Sequence, residues 1–298
     1  MPSSPTTGSG PTLSVVVASL RARPVLETCL ARLRPPCVRA GAELIVARPP
    51  ERGDLDAIAA SHPGLRVVAA PAGADLPRVR GTGLAAAGGR LVALIEDHCL
   101  PAAGWVAQLR THVGGTADVV GGAMENGQRS RAVDWGAYFA EYGIYARSRA
   151  VAGTRAALTD GNVAYHRRVV GRVAAWALDG AWENVVHARL VAAGATLRFD
   201  PELVVAQGLS HAVPAFCRDR YQHGRDFARA RLAEERATGA VRWLRAVTAP
   251  ALPPLLAWRI ARRAEQRSAF AAALPFTLTF LAAWSLGEAA GYVRGAGR

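Results

Sequence analysis

Residues 90–101 read RLVALIEDHCLP: an apolar run that drives straight into Glu96, Asp97 and His98, with Pro101 closing the stretch. A short run of this kind, bounded by polar residues, suits a strand buried on both faces. Its carboxyl end then carries the three polar side chains, and in open α/β sheets ligands collect at the carboxyl ends of strands. Alternate side chains of an extended segment share a face, so Glu96 and His98 are expected to point one way and Asp97 the other. Taken alone, the stretch leaves two readings open, a metal site or the solvated end of a buried strand.

The neighbouring sequence settles the fold class. LSVVVA at 13–18, ELIVA at 43–47 and LRVVAA at 65–70 repeat the buried-strand pattern. Between the first two, RPVLETCLARL places Val25, Leu26, Cys29, Leu30 and Leu33 on one helical face. Short β-branched runs separated by helices predict an α/β fold, a mixed, mostly parallel sheet flanked by helices. Further on, ADVVGG at 117–122 reads as a strand and 182–193 as a helix, and the alternating charges of FCRDRYQHGRDFARARLAEER suit an exposed helix.

The 298 residues are 51% hydrophobic, ample for a core. All 36 basic residues are arginine, and the net charge of +13 favours nucleotide diphosphates or an anionic membrane surface. Nucleic acid is not expected as a partner, because no basic helix, zinc module or RNP-like aromatic pattern accompanies the charge. Cys29, Cys37, Cys99 and Cys217 form no C-x-x-C pair, which argues against a zinc ribbon and fits a reducing compartment.

Three regions follow: a disordered lead over 1–12, a catalytic-type domain over 13–240, and a hydrophobic tail over 241–298. The window 268–287, SAFAAALPFTLTFLAAWSLG, holds no lysine, arginine or aspartate and ends just before Glu288. A helix of roughly 20 such residues spans a bilayer core. VTAPALPPLLAW at 247–258 is shorter, broken by three prolines, and reads as interfacial or re-entrant. The expected location is the cytoplasmic face of the cell membrane, either peripheral or held by a C-terminal transmembrane helix.

Four stretches in order resemble family 2 glycosyltransferases of the GT-A fold, a Rossmann-like nucleotide-diphospho-sugar transferase fold. LSVVVASLRAR resembles the opening strand and nucleotide loop. PRVRGTGLAAAGGRLVALIEDHCLPAAGW resembles the A-R-N-x-G helix, the next strand, the D-x-D motif and the P-x-x-G-W block. TDGNVAYHRR resembles the acceptor-side G-G-N block, and WENVVHARLVAAGATLRFDP the block that carries the catalytic base. The resemblance runs from about Leu13 to His211 and more loosely beyond.

It implies a metal-assisted, inverting transfer of a sugar from a nucleotide-diphosphate donor to a hydroxyl acceptor, lipid-linked or polysaccharide. Counting back from Arg189 makes Glu183 the general base. Ser19, Arg21, Arg80, Asp97, Arg220 and Arg225 fall to the donor side, and Trp105, Asp160, Gly161 and Asn162 to the acceptor side. Arg80 reads equally as a salt-bridge partner of a strand-end acid, and Arg220 and Arg225 equally as a charged helix surface. The D-x-D motif is here Glu96-Asp97-His98. The related polypeptide N-acetylgalactosaminyltransferases use an aspartate-x-histidine pair and a late histidine, so Glu96, His98 and His211 are the expected ligands of Mn²⁺ or Mg²⁺. The family's base-reading aspartate is missing, with Ala47 and Arg48 in its place. Two rivals stand beside this reading: a catalytically impaired scaffold at the membrane, and a nucleotidyltransferase, which the lack of a Gly-rich, lysine-anchored phosphate loop disfavours.

Overall fold

The computed structural model describes residues 10–146, 152–235 and 239–295. Most of the expected lead, 1–9, lies outside them. The amino-terminal part alternates strand and helix: β1 (Leu13–Ala18), α1 (Arg23–Ala40), β2 (Glu43–Arg48), α2 (Leu55–Ser61), β3 (Leu65–Ala69), α3 (Leu76–Ala86) and β4 (Leu91–Glu96). The chain continues through β5 (Cys99–Pro101), α4 (Trp105–Thr111), β6 (Val119–Asn126), α5 (Ala132–Tyr142), β7 (Gly153–Thr154) and β8 (Val163–His166). Then come α6 (Arg167–Leu178), α7 (Glu183–Ala192), β9 (Leu197–Gln207), α8 (Val213–Glu235), α9 (Gly239–Thr248), α10 (Leu252–Arg263) and α11 (Arg267–Arg294).

The sheet runs β3-β2-β1-β4-β8-β6-β9-β5, with β7 added to β9. β1 pairs in parallel with β2 and β4, β2 with β3, and β6 with β9, whereas β8 is antiparallel to both β4 and β6. The carboxyl ends of β1, β2, β4, β6 and β9 therefore share one edge. Strand alternation divides the core in two. Val15, Val17, Ala93 and Ile95 pack with Leu26, Leu30, Leu109 and Phe139 on one face; Val16, Val92 and Leu94 pack with Val79, Leu84, Val169 and Val173 on the other. This is the mixed, mostly parallel sheet flanked by helices that the strand pattern predicts.

Three local departures have physical causes. α1 continues through Pro35 and Pro36 because Leu33 and Cys37 are both buried, and it ends at Gly41 in the left-handed conformation; in sequence the proline pair reads as a stop. β3 is the edge strand, only half covered. The prolines at 250, 253 and 254 do not break 247–258 into loop: Pro253 and Pro254 fall in the first turn of α10, where a missing N–H costs no bond.

α11 is long and apolar enough to cross a membrane, yet it is docked on the rest of the chain. A Cβ on Gly287 would lie 2.0 Å from the Tyr221 carbonyl oxygen, and one on Gly224 would lie 2.0 Å from that of Trp284. Backbones of α8 and α11 thus touch, and only glycine allows this approach. The charged α8 accordingly buries one face, Phe216, Gly224, Ala228 and Leu232.

Candidate active site

Arg80, on α3, is the centre of the carboxyl edge. Its Nη2 donates to Glu96 Oε1 at 2.6 Å, and its Nη1 donates to Asp160 Oδ2 at 2.9 Å and Glu183 Oε2 at 3.1 Å. The guanidinium also stands over the Trp182 ring, 5.8 Å from its centroid. Glu96 ends β4, Asp160 precedes β8, and Glu183 is the first residue of α7, where free backbone N–H groups favour a carboxylate. Four residues distant in sequence meet because three elements end at the same edge of the sheet. Of the two readings of Arg80, the structure contains the salt bridge to a strand-end acid.

One cation facing three carboxylates leaves an excess of negative charge, and burial decides where a proton stays. Asp160 is buried deepest, and desolvation, reinforced by Glu183 and Glu96, pushes its carboxyl up to about 7 despite Arg80. Burial would raise Glu96 as well, but Arg80 and His98 outweigh it and hold that carboxyl at about 2. Glu183 differs in access: its side chain is 34% exposed, against 13% for Glu96 and 7% for Asp160. It is the carboxylate of the three that solvent and ligands reach.

A hydrogen-bonded chain backs Asp160. Leu158 N–H donates to His187 Nδ1 at 3.3 Å, which leaves the proton on Nε2, 3.1 Å from the Tyr165 oxygen. The Tyr165 hydroxyl then donates to Asp160 Oδ1 at 2.9 Å. Burial lowers His187 to about 4, so the ring is neutral at ordinary pH. Sequence reading missed both residues. His187 carried a faint signal, four residues after Glu183 on the same helical face; Tyr165 carried none.

The signs of these shifts can be tested. In the folded chain Asp160 keeps a proton that the unfolded chain releases above about pH 4, so its contribution to stability declines as pH rises from about 4 to about 7. Asp160→Asn removes that decline. The melting temperature of the variant minus that of wild type is expected to grow more positive between pH 5 and pH 8. A difference independent of pH would mean that Asp160 titrates as an ordinary carboxyl.

Ser19 and Asp97, expected on the donor side, are bonded to each other and to the loop after β1. Asp97 Oδ2 accepts from the Ser19 hydroxyl at 3.0 Å and from the backbone N–H groups of Leu20 at 2.9 Å and Arg21 at 2.8 Å. Ser19 in turn accepts from Arg48 Nη1 at 2.8 Å, and both Ser19 and Asp97 are buried. Together they fix the loop after β1. Arg48, where the base-reading aspartate was missing, is also buried and bonds the carbonyls of Arg21 and Arg52. The Arg21 side chain is 45% exposed, with its Nε 3.8 Å from Asp97 Oδ1.

On the acceptor side, Trp105 Nε1 donates to Asn162 Oδ1 at 2.9 Å, and Asn162 Nδ2 donates to the carbonyls of Ala123 and Leu203. Both side chains are about 1% exposed, and their hydrogen bonds clasp β6, β9 and α4. Gly161 is buried against Met124, where a Cβ would come within 3.3 Å of its methyl carbon. Arg220 pairs with Glu141 at 3.4 Å, and Arg225 with Asp226 at 3.3 Å and Gln222 at 2.7 Å. Arg225 is partly exposed on the helix, whereas the Arg220 side chain is only 11% exposed with its Nε buried, and neither of these ties joins the Arg80 cluster.

The expected metal set is only partly assembled. His98 Nδ1 is buried without a hydrogen-bond partner, 3.6 Å from Glu96 Oε2. The other oxygen of Glu96 is committed to Arg80, and His211 Nε2 faces Gln207 at 2.8 Å while its ring packs on Phe216. Among the described residues no group of three or more His, Cys, Asp or Glu is placed to hold a metal ion. The donor set therefore does not fit a preformed protein-built centre. Titration with Mn²⁺, followed by its electron paramagnetic resonance signal, is expected to show no stoichiometric uptake at micromolar metal by the free protein. Tight uptake that is lost in His98→Ala would restore the metal reading.

A hollow of about 530 Å³ opens elsewhere, bordered among others by Glu125, Asn126, Glu202 and Glu265. No member of the Arg80 cluster lines it.

Comparison with known proteins finds no matching family model and no matching curated protein. Among solved structures, the chain is similar to the mannosyltransferase PcManGT from Pyrobaculum calidifontis in complex with GDP-Man and Mn²⁺, with TM-score 0.59 and 16% identity over 93% of this chain and 87% of that one. A nucleotidyl transferase from Methanothermobacter thermautotroptrophicus overlaps less, with TM-score 0.41 and 15% identity over 63% of this chain and 86% of that one, a likeness too slight to carry an argument. The fold is thus glycosyltransferase-like.

Proposed function

We propose that the chain is a family 2-like, inverting glycosyltransferase that moves a hexosyl group from a nucleotide-diphosphate donor to a hydroxyl acceptor. The observation that carries this reading is the exposure of Glu183 beside the buried Arg80, Glu96 and Asp160. A general base must reach the acceptor and stay ionised. Glu183 has the access, and its Oε2 is held by Arg80 Nη1 at 3.1 Å. As it takes the hydroxyl proton, the acceptor oxygen bonds the anomeric carbon from the face opposite the departing diphosphate, and the bond between that carbon and the phosphate oxygen breaks.

Arg21, on the loop tied down by Asp97, is the side chain suited to the diphosphate, since a guanidinium fork matches phosphate oxygens. Arg80 orients Glu183 and Glu96 and is itself held by both. No step requires a metal held by Glu96, His98 and His211. The likeness to a mannosyltransferase that binds GDP-Man supports a nucleotide-sugar donor as a class. The test is a panel of nucleotide sugars offered to the purified chain, read by nucleotide release and by thermal shift. Release above background for one donor, together with a raised melting temperature, is the expected result. Failure of every donor in both readouts would leave a scaffold with the fold alone.

A further inference from the structure

The strongest unpartnered surface lies on α9 and α10. Among the described residues, six of the twelve large apolar side chains that stand exposed fall between residues 241 and 258. On α9, Trp243, Leu244 and Val247 face outward with exposures of 53%, 65% and 74%, while Ala246 is buried. Arg245 turns inward, paired with Glu235 at 2.6 Å and set over the Tyr292 ring. The usual amphipathic order is inverted, with the charge toward the protein and the apolar stripe toward the outside. α10 is apolar on its inner side, where Ala257 and Ile260 are buried, yet Leu255 and Trp258 stand out beside the exposed Arg259 and Arg262, the latter 4.8 Å from the Trp258 ring centroid.

We infer that α9 and α10 together form an in-plane docking surface for an anionic lipid bilayer. Tryptophan and leucine beside arginine are the side chains that an interface of acyl chains and headgroups accepts. Arg259 is exposed next to Trp258, and the chain as a whole carries +13; the charge complements anionic headgroups. A second copy of the chain is the poorer occupant, because a twofold contact would bring two arginine-flanked faces of strongly positive molecules together. α11, locked on α8 by Gly224 and Gly287, stays with the protein and is not needed as a separate span.

The surface also bears on the acceptor, and this part rests on the glycosyltransferase reading. The inner face of α10 packs by Ile260 against Gly143, the residue after Tyr142, whose hydroxyl lies 3.4 Å from His98 Nε2. Docking through α10 therefore holds the His98 side of the site close to the bilayer, and the acceptor class that fits is a hydroxyl or phosphate-bearing lipid.

The test is co-sedimentation of the full chain with vesicles of phosphatidylcholine alone or mixed with phosphatidylglycerol. Wild type is expected to bind the anionic vesicles, less so as salt is raised. Leu244→Glu/Trp258→Glu is expected to weaken binding by about tenfold or more, whereas Val38→Glu, on an exposed part of α1, leaves it unchanged. Circular dichroism checks that each variant folds. Equal binding by the double variant and wild type, or no binding by wild type, overturns the proposal; so does a wild-type dimer in light scattering that the double variant abolishes. Glu183→Gln should bind vesicles like wild type; a wild-type chain that binds vesicles but releases nucleotide from no donor keeps the surface and loses the catalytic reading.

Discussion

Replacing Arg80 by methionine is expected to destabilise the chain by about 3–5 kcal/mol, the usual cost of removing one partner from a buried ion pair. The side chain is only 6% exposed and is the shared partner of Glu96, Asp160 and Glu183, so solvent cannot take over its task. Without it, two or three carboxyl groups face one another at low dielectric and must take up protons to stay buried. The loss should accordingly shrink as pH is lowered toward 4. Arg80→Lys restores the charge but not the fork, and should recover part of the stability. Urea unfolding of the three proteins at pH 5 and pH 8 reads both effects. A methionine variant as stable as wild type at pH 8 would refute the account of the cluster.

Glu183→Gln is expected to lower transfer by on the order of 10²–10⁴, the range over which a positioned general base acts. Glutamine keeps an oxygen for Arg80 and nearly the same volume, and the position is one-third exposed, so the fold should survive. Donor binding should persist, because no part of the proposed diphosphate contact uses this side chain. A variant with unchanged turnover would remove Glu183 from the chemistry. One that loses the donor-induced thermal shift as well would assign it to binding instead.

Both predictions turn on residues whose sequence signals differed in kind. Glu96 and Glu183 were legible because periodicity set the strand before one and the helix after the other, and because their blocks follow a recognisable order. Trp105 and Asn162 stood out equally well as motif residues, yet the structure spends them on each other and on the carbonyls of Ala123 and Leu203. A motif records that a position is constrained; it does not tell whether a ligand or the backbone imposes the constraint. His211 illustrates the same limit, since a late histidine is visible in sequence but its orientation toward Gln207 is not.

By itself the sequence determined the strand and helix order, the carboxyl edge as the place of the candidate site, the excess of arginine and the apolar carboxyl-terminal helix. These follow from side-chain periodicity and composition, which act over a few residues. Only the tertiary structure decided that one guanidinium serves three carboxylates, that Asp97 holds a loop, that α11 lies backbone to backbone on α8, and that α9 and α10 turn their apolar faces outward. The first of these depends on residues 16 to 103 positions apart meeting at the sheet edge, and the helix contacts likewise join residues far apart in the chain. Charge balance and close packing among such residues are settled only once the chain has closed.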